Sequence, residues 1–310
     1  MTEATSTAAR PEGASDEQLA RLPSGVELCY QTFGSPDGEP LLLVMGLGGP
    51  MTWWSPDLCT ELADRGFFVI RFDNRDIGRS SRIEGRVSRA GLVRSFLHPR
   101  GRGSRPPYTL DDMAEDGFGL LDHLGCTSAN LVGVSMGGMI VQTMAVLHPD
   151  RVRSLTSIMS TTGRRSVGWQ DPRLLPRLLE RRAATREAYV ESSRRFWQVI
   201  GSVGYPDTEE SVRARAAETW DRGVSAAGVA RQMVAIVAQP DRTRQLRDLT
   251  MPTLVIHGLA DKMVHVSGGR ATARAIPGAQ LLLVPGMGHD IPAELHSTFA
   301  DAIRRVAPRG

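Results

Sequence analysis

Three side chains of this 310-residue protein have the types and the order needed for nucleophilic attack on a carbonyl group. Ser135 lies in Gly133-Val134-Ser135-Met136-Gly137-Gly138, a G-x-S-x-G pattern. So short a pattern arises by chance, and its weight comes from context: an apolar stretch at 130–134 runs into it and a helical stretch leaves it. A turn that sharp strains the backbone at the serine and leaves no room for a side chain at Gly133 or Gly137. It also lifts the hydroxyl clear of the sheet beside a helix N-terminus, where negative charge is favoured. A serine hydroxyl needs a base to remove its proton. His289, in Pro285-Gly286-Met287-Gly288-His289, follows the last apolar strand and can supply that base. Its imidazole needs a carboxylate to fix the tautomer and stabilise the cation. Asp261, four residues beyond an apolar run ending at His257, is placed to provide it.

The oxyanion formed in such an attack requires two backbone N–H donors. Met136, at the start of the helix after the serine, offers one. The glycine-rich turn Met45-Gly46-Leu47-Gly48-Gly49 offers the other, and Leu47 N–H is the candidate. Candidates for the substrate pocket are Gly46, Trp53, Trp54, Trp197 and Met287. Trp169, Tyr189, Phe196, Trp197 and Trp220 belong to one helical insertion, and each singly reads first as packing within it. The remaining histidines show no H-E-x-x-H or other ligand spacing, so no metal site is expected, and no phosphate-binding glycine loop follows a strand. No cofactor is expected.

The elements that must bring these groups together alternate. Apolar strand patterns occupy 26–33, 41–44, 67–72, 130–134, 152–159, 253–257 and 279–284, with helical patterns at 57–65, 109–124, 136–148 and 293–306. Thr109 reads as a helix cap. The first two strands, joined by the short turn 34–38, are expected to pair antiparallel. The rest predict an α/β fold with a mostly parallel twisted sheet and helices on both faces. All three chemical side chains then follow strand C-termini, where open α/β sheets build their sites. About 90 residues between Ser160 and Thr250 exceed what a crossover needs. They read as helices at 174–191, 193–200, 208–221 and 226–238, an inserted helical cap over 162–245. The core is then 22–161 with 246–310, after a disordered tail at 1–21, and the Arg-, Gly- and Pro-rich stretch 93–107 reads as a mobile loop.

Composition excludes several classes. The net charge of +3 is spread over scattered arginines, Lys262 being the single lysine, which argues against a nucleic-acid surface. Cys29, Cys59 and Cys126 are too far apart for a zinc ribbon and too few for a disulfide framework. No secretory signal begins the chain and no apolar run reaches the roughly 20 residues of a membrane span. A small-molecule substrate and a cytoplasmic location are therefore expected.

The chain resembles the α/β-hydrolases over about 26–306, nearly its whole length. Their chain order of Ser, Asp and His is kept. The family's His-Gly oxyanion turn is represented by Met45-Gly46, and its Asp-x-Arg-Gly-x-Gly-x-Ser stretch by Asp73-Asn74-Arg75-Asp76-Ile77-Gly78-Arg79-Ser80. Met45 and Asp76 are departures, from His and Gly respectively; neither removes a catalytic group. The Val-Met-Gly opening with the Arg-Phe-Asp-Asn-Arg-Asp run is similar to the branch containing aclacinomycin methylesterase, which implies a serine hydrolase for methyl esters or other small esters or lactones. Two alternatives stay open: a cofactor-free perhydrolase or haloperoxidase on the same triad, and a non-enzymatic ligand-binding member of the fold. Relatives with epoxide hydrolase or dehalogenase chemistry carry Asp where this chain has Ser135.

Overall fold

Leu41, Leu42, Leu43 and Val44 are all fully buried, so their strand needs cover on both faces, and the architecture follows from that need. The computed structural model describes residues 13–85, 87, 106–174 and 184–309. Eight strands form one sheet: β1 (Gln18–Arg21), β2 (Glu27–Phe33), β3 (Glu39–Val44), β4 (Phe67–Phe72), β5 (Ala129–Val134), β6 (Val152–Ile158), β7 (Thr253–Gly258) and β8 (Gln280–Val284). Their order is β1-β2-β4-β3-β5-β6-β7-β8. β1 and β2 run antiparallel to their neighbours, and every pairing from β4 through β8 is parallel.

Side chains of β3 alternate between the two faces. Leu42 and Val44 pack with Met113, Phe118, Leu121 and Met144 of α2 (Leu110–His123) and α3 (Met136–Leu147). Leu41 and Leu43 pack with Leu58 and Leu62 of α1 (Pro56–Asp64) and with Phe299 and Ile303 of the C-terminal helix on the other side. Helices thus cover both faces, as expected. Local signals start them: Ser55 Oγ accepts from Leu58 N–H, and Thr109 forms a reciprocal capping box with Asp112. Between β6 and β7 lie α4 (Arg186–Ile200), α5 (Glu209–Asp221) and α6 (Ala226–Ala238), each with a Thr or Ser cap. α7 (Ser267–Ala275) and α8 (His296–Val306) complete the set.

Three expectations need correction. β2 and β3 do not pair, because β4 lies between them. The turn at 34–38 permits a hairpin, but Glu39 N–H donates to Gly66 O and the chain steps past β4. That gives doubly apolar β3 a parallel neighbour on each side. The expected tail is also too long. Ala14 bridges to Phe33, and Gln18–Arg21 forms an edge strand on β2 that buries only Ala20, which is why its composition looks like a tail. Residues 1–12 lie outside the described residues. Finally, Arg186–Ile200 is one continuous helix through Ser192 and Ser193, where a break was expected. Residues 175–183 and most of the 93–107 stretch lie outside the described residues.

Candidate active site

Ser135 follows the last residue of β5 with φ 56° and ψ −116°, a left-handed conformation that costs a non-glycine residue on the order of 1–3 kcal/mol. Neighbouring backbone imposes it. A Cβ on Gly133 would lie 2.2 Å from Gly137 O, and one on Gly137 would lie 2.0 Å from Val44 O. The turn is therefore closed both on itself and against the end of β3. Ser135 N–H donates to Ile158 O at 2.9 Å, and Ser160 Oγ donates to Ser135 O at 2.7 Å.

The ring of His289 stands between Ser135 and Asp261. Its Nε2 is 3.0 Å from Ser135 Oγ and its Nδ1 is 2.8 Å from Asp261 Oδ2. A carboxylate only accepts, so Nδ1 carries a hydrogen and the Nε2 lone pair faces the serine hydroxyl. His289 N–H donates to Ile200 O at 2.8 Å, so the end of α4 holds the histidine loop. Asp261 is itself held: Oδ1 accepts from Met263 N–H at 2.8 Å and Val264 N–H at 2.9 Å. Burial alone would raise its pKa. Attraction to the His289 ring in its protonated form, with the hydrogen bonds from His257 and His289, outweighs that and keeps it at about 2. His257 Nε2 donates to Val264 O at 2.8 Å and sits 3.5 Å from Asp261 Oδ2, a structural placement.

Gly46 lies against Ser135, where an added Cβ would be 3.2 Å from the serine Cβ. The same Cβ would lie 3.8 Å from the serine Oγ, so the start of the 45–49 turn borders the hydroxyl. Met136 is the first residue of α3, and an N–H there has no intrahelical acceptor. Other residues fasten the 45–49 turn: Asn74 Nδ2 donates to Met45 O at 2.9 Å, and Gly48 N–H donates to Gln232 Oε1 at 3.0 Å. The sequence carried no signal for Gln232.

Next to Leu47 a cavity of about 390 Å³ opens between this turn and the helices inserted after β6. Trp53 and Trp197 line it, edge to face at 5.3 Å, and Trp53 Nε1 donates to Thr219 Oγ1. Tyr189, Phe196 and Trp220 also line it, so they are more than packing within the insertion. Trp54 and Met287 are corrections in the other direction. Both side chains are buried in the α1–α8 core, and neither lines this cavity. Short sequence distance from the chemical residues does not fix the direction of a side chain. Trp169 is half exposed and stacks on His265.

Asp76 also has left-handed backbone, at φ 75°, which accounts for the commoner glycine at this point in the resembling family. Its buried carboxylate receives both Arg231 Nε (2.8 Å) and Nη2 (2.6 Å), Tyr108 Oη (2.7 Å) and Ile83 N–H (2.9 Å). Burial pushes its pKa up, but these donors outweigh that and hold it below the usual carboxylate range. Asp73 pairs similarly with Arg222. Two arginines of the inserted helical region thus lock onto the 73–80 stretch. Among the described residues no cluster of three or more His, Cys, Asp or Glu side chains could hold a metal, and no helix is long and apolar enough to cross a membrane.

The sequence pattern described as alpha/beta hydrolase fold matches residues 39–294. The chain belongs to the α/β-hydrolase fold family. This α/β hydrolase is 30% identical to rhodomycin D methylesterase DauP of Streptomyces sp. (strain C5), over 90% of its own length and 94% of that relative. It is 27% identical to the putative non-heme bromoperoxidase BpoC of Mycobacterium tuberculosis (strain ATCC 25618 / H37Rv), over 85% of its length and 91% of that relative. The fold is shared with the enol-lactonase of Burkholderia xenovorans LB400, with a TM-score of 0.72 at 23% identity, covering 93% of this chain and 99% of that one. With these relatives it is an esterase-type hydrolase, the class expected from the sequence.

Proposed function

We propose that this α/β hydrolase cleaves a carboxylic ester, a methyl ester or lactone of an apolar or aromatic acid, through Ser135, His289 and Asp261. The observation that carries the reading is the continuous hydrogen-bonded chain from Ser135 Oγ through both ring nitrogens of His289 to Asp261. His289 Nε2 takes the hydroxyl proton as Oγ attacks the carbonyl carbon, and Asp261 stabilises the imidazolium. Leu47 and Met136 N–H receive the oxyanion. Collapse breaks the bond to the alcohol oxygen, which leaves with the proton from His289. Water then loses a proton to His289 and attacks the acyl carbon, and the acid departs as Oγ regains its hydrogen.

The aromatic cavity beside Leu47 supports an apolar or aromatic substrate, and similarity to a methylesterase supports a small alcohol. The helices between β6 and β7 act as a cap over the strand ends, and the enzyme works in the cytoplasm on a small molecule without a cofactor. Ser135→Ala is expected to remove turnover of p-nitrophenyl acetate, and labelling by a fluorophosphonate probe, with an unchanged circular dichroism spectrum. Undiminished turnover in that variant overturns the reading. Similarity to a protein named a bromoperoxidase favours a second outcome, in which peroxide replaces water as acceptor of the acyl group. Acetate-dependent bromination measured beside ester cleavage separates the two.

A further inference from the structure

Gln232 lies on α6, far in sequence from the 45–49 turn that it touches, and its side chain is fully buried. Its Oε1 accepts from Gly48 N–H at 3.0 Å, and its Nε2 donates to Arg75 O at 3.1 Å. A peptide N–H only donates and a carbonyl only accepts, so the amide has one orientation. Gly48, at φ 70°, follows Leu47 directly. The Leu47 and Gly48 amides flank one Cα, so fixing the second limits the directions open to the first. The 45–49 turn has two other ties, Asn74 Nδ2 to Met45 O and Gly49 N–H to Gly46 O at 3.2 Å. The first comes from the 73–80 stretch and the second closes the turn on itself. Gln232 is the tie that comes from the inserted helices.

The rest of α6 is seated on the same two loops. Arg231, the preceding residue, grips Asp76. A Cβ on Gly228 would lie 2.7 Å from Asp76 Cβ, and one on Gly48 would lie 3.0 Å from Val229 Cγ2. This helix therefore contacts both the oxyanion turn and the 73–80 stretch, and Gln232 bonds to each.

We propose that Gln232 is a positioning residue for ester hydrolysis: by holding the Gly48 amide it aims Leu47 N–H at the developing oxyanion, and so makes the rate of the chemical step depend on how α6 is seated. The inference rests on the proposed hydrolytic reading. A carbonyl-directed donor must be placed before charge develops, because a donor that reorients during the reaction loses most of its value.

The test compares wild type, Gln232→Leu and Gln232→Glu on a p-nitrophenyl ester, with active sites counted by fluorophosphonate labelling run to completion. Misfolded molecules then drop out of the rate. For Gln232→Leu, kcat per labelled site is expected to fall about 10- to 100-fold, less than the roughly 10²–10³ for outright loss of a donor. KM stays within about threefold. Affinity for phenylboronic acid, which forms a tetrahedral adduct with the serine, falls by the same factor as kcat. Gln232→Glu conserves shape: ionised, it sets an oxygen against Arg75 O; protonated, it restores both hydrogen bonds. Burial raises a glutamate pKa, so the kcat of Gln232→Glu relative to wild type is expected to climb as pH is lowered from about 8 to about 6. A wild-type kcat per labelled site in Gln232→Leu, or a loss confined to KM or to the fraction labelled, overturns the positioning role and leaves the hydrolase reading standing. A wild type that neither labels nor turns over ester removes that reading and this inference with it.

Discussion

Replacing Asp76 by the glycine common at that point of the family is expected to destabilise this protein, although it relieves backbone strain. Asp76→Gly removes a left-handed non-glycine residue at φ 75°, a gain of about 1 kcal/mol. It also strips Arg231 of its carboxylate, with side-chain exposures of 6% for the arginine and 0% for the aspartate. Removing one partner of a buried pair costs about 3–5 kcal/mol, because the remaining charge is uncompensated. Tyr108 Oη loses its acceptor in the same step. The net cost is about 2–4 kcal/mol, which at this chain length lowers the unfolding midpoint by roughly 3–6 °C. Arg231→Met in the same background removes the stranded charge, so the double variant should recover most of the loss. Scanning fluorimetry on wild type, both single variants and the double variant gives the cycle. A wild-type or higher midpoint in Asp76→Gly refutes the reasoning, and so does strict additivity of the two single changes.

Gly137→Ala places a Cβ 2.0 Å from Val44 O, which is backbone and cannot swing away. It should lower stability by about 3 kcal/mol or more and displace Ser135, to be read as a fall in both unfolding midpoint and kcat; a variant matching wild type in both contradicts the packing described. Asp261 at about 2, below its ordinary 3.8, stabilises the fold above pH 4, and that contribution is lost as pH falls through 2. The excess stability of wild type over Asp261→Asn should therefore shrink by about 2 kcal/mol between about pH 5 and pH 2, as followed by urea unfolding. A difference that stays constant over that range excludes the depressed carboxylate.

The apolar strands, their alternation with helices, and the G-x-S-x-G turn were legible because they are local: period, caps and turn chemistry are written in adjacent residues. Leu41–Val44 reads as an apolar strand and Thr109 as a helix cap, and both hold in the structure. Ser135, Asp261 and His289 were reachable for a related reason, since each follows the C-terminal end of its own strand and a parallel sheet gathers those ends on one edge. Strand order was not legible. The short turn after β2 is compatible with a hairpin, and only competition for neighbours in the whole sheet puts β4 between β2 and β3. The direction of Trp54 and Met287 into the core, against Trp53 into the cavity, depends on backbone orientation that no spacing rule encodes. Asp76 with Arg231, and Gln232 with Gly48, lie 155 and 184 residues apart. A single sequence gives the types of such partners, but a buried pair is chosen by the desolvation of both groups, and that exists only once the chain is folded.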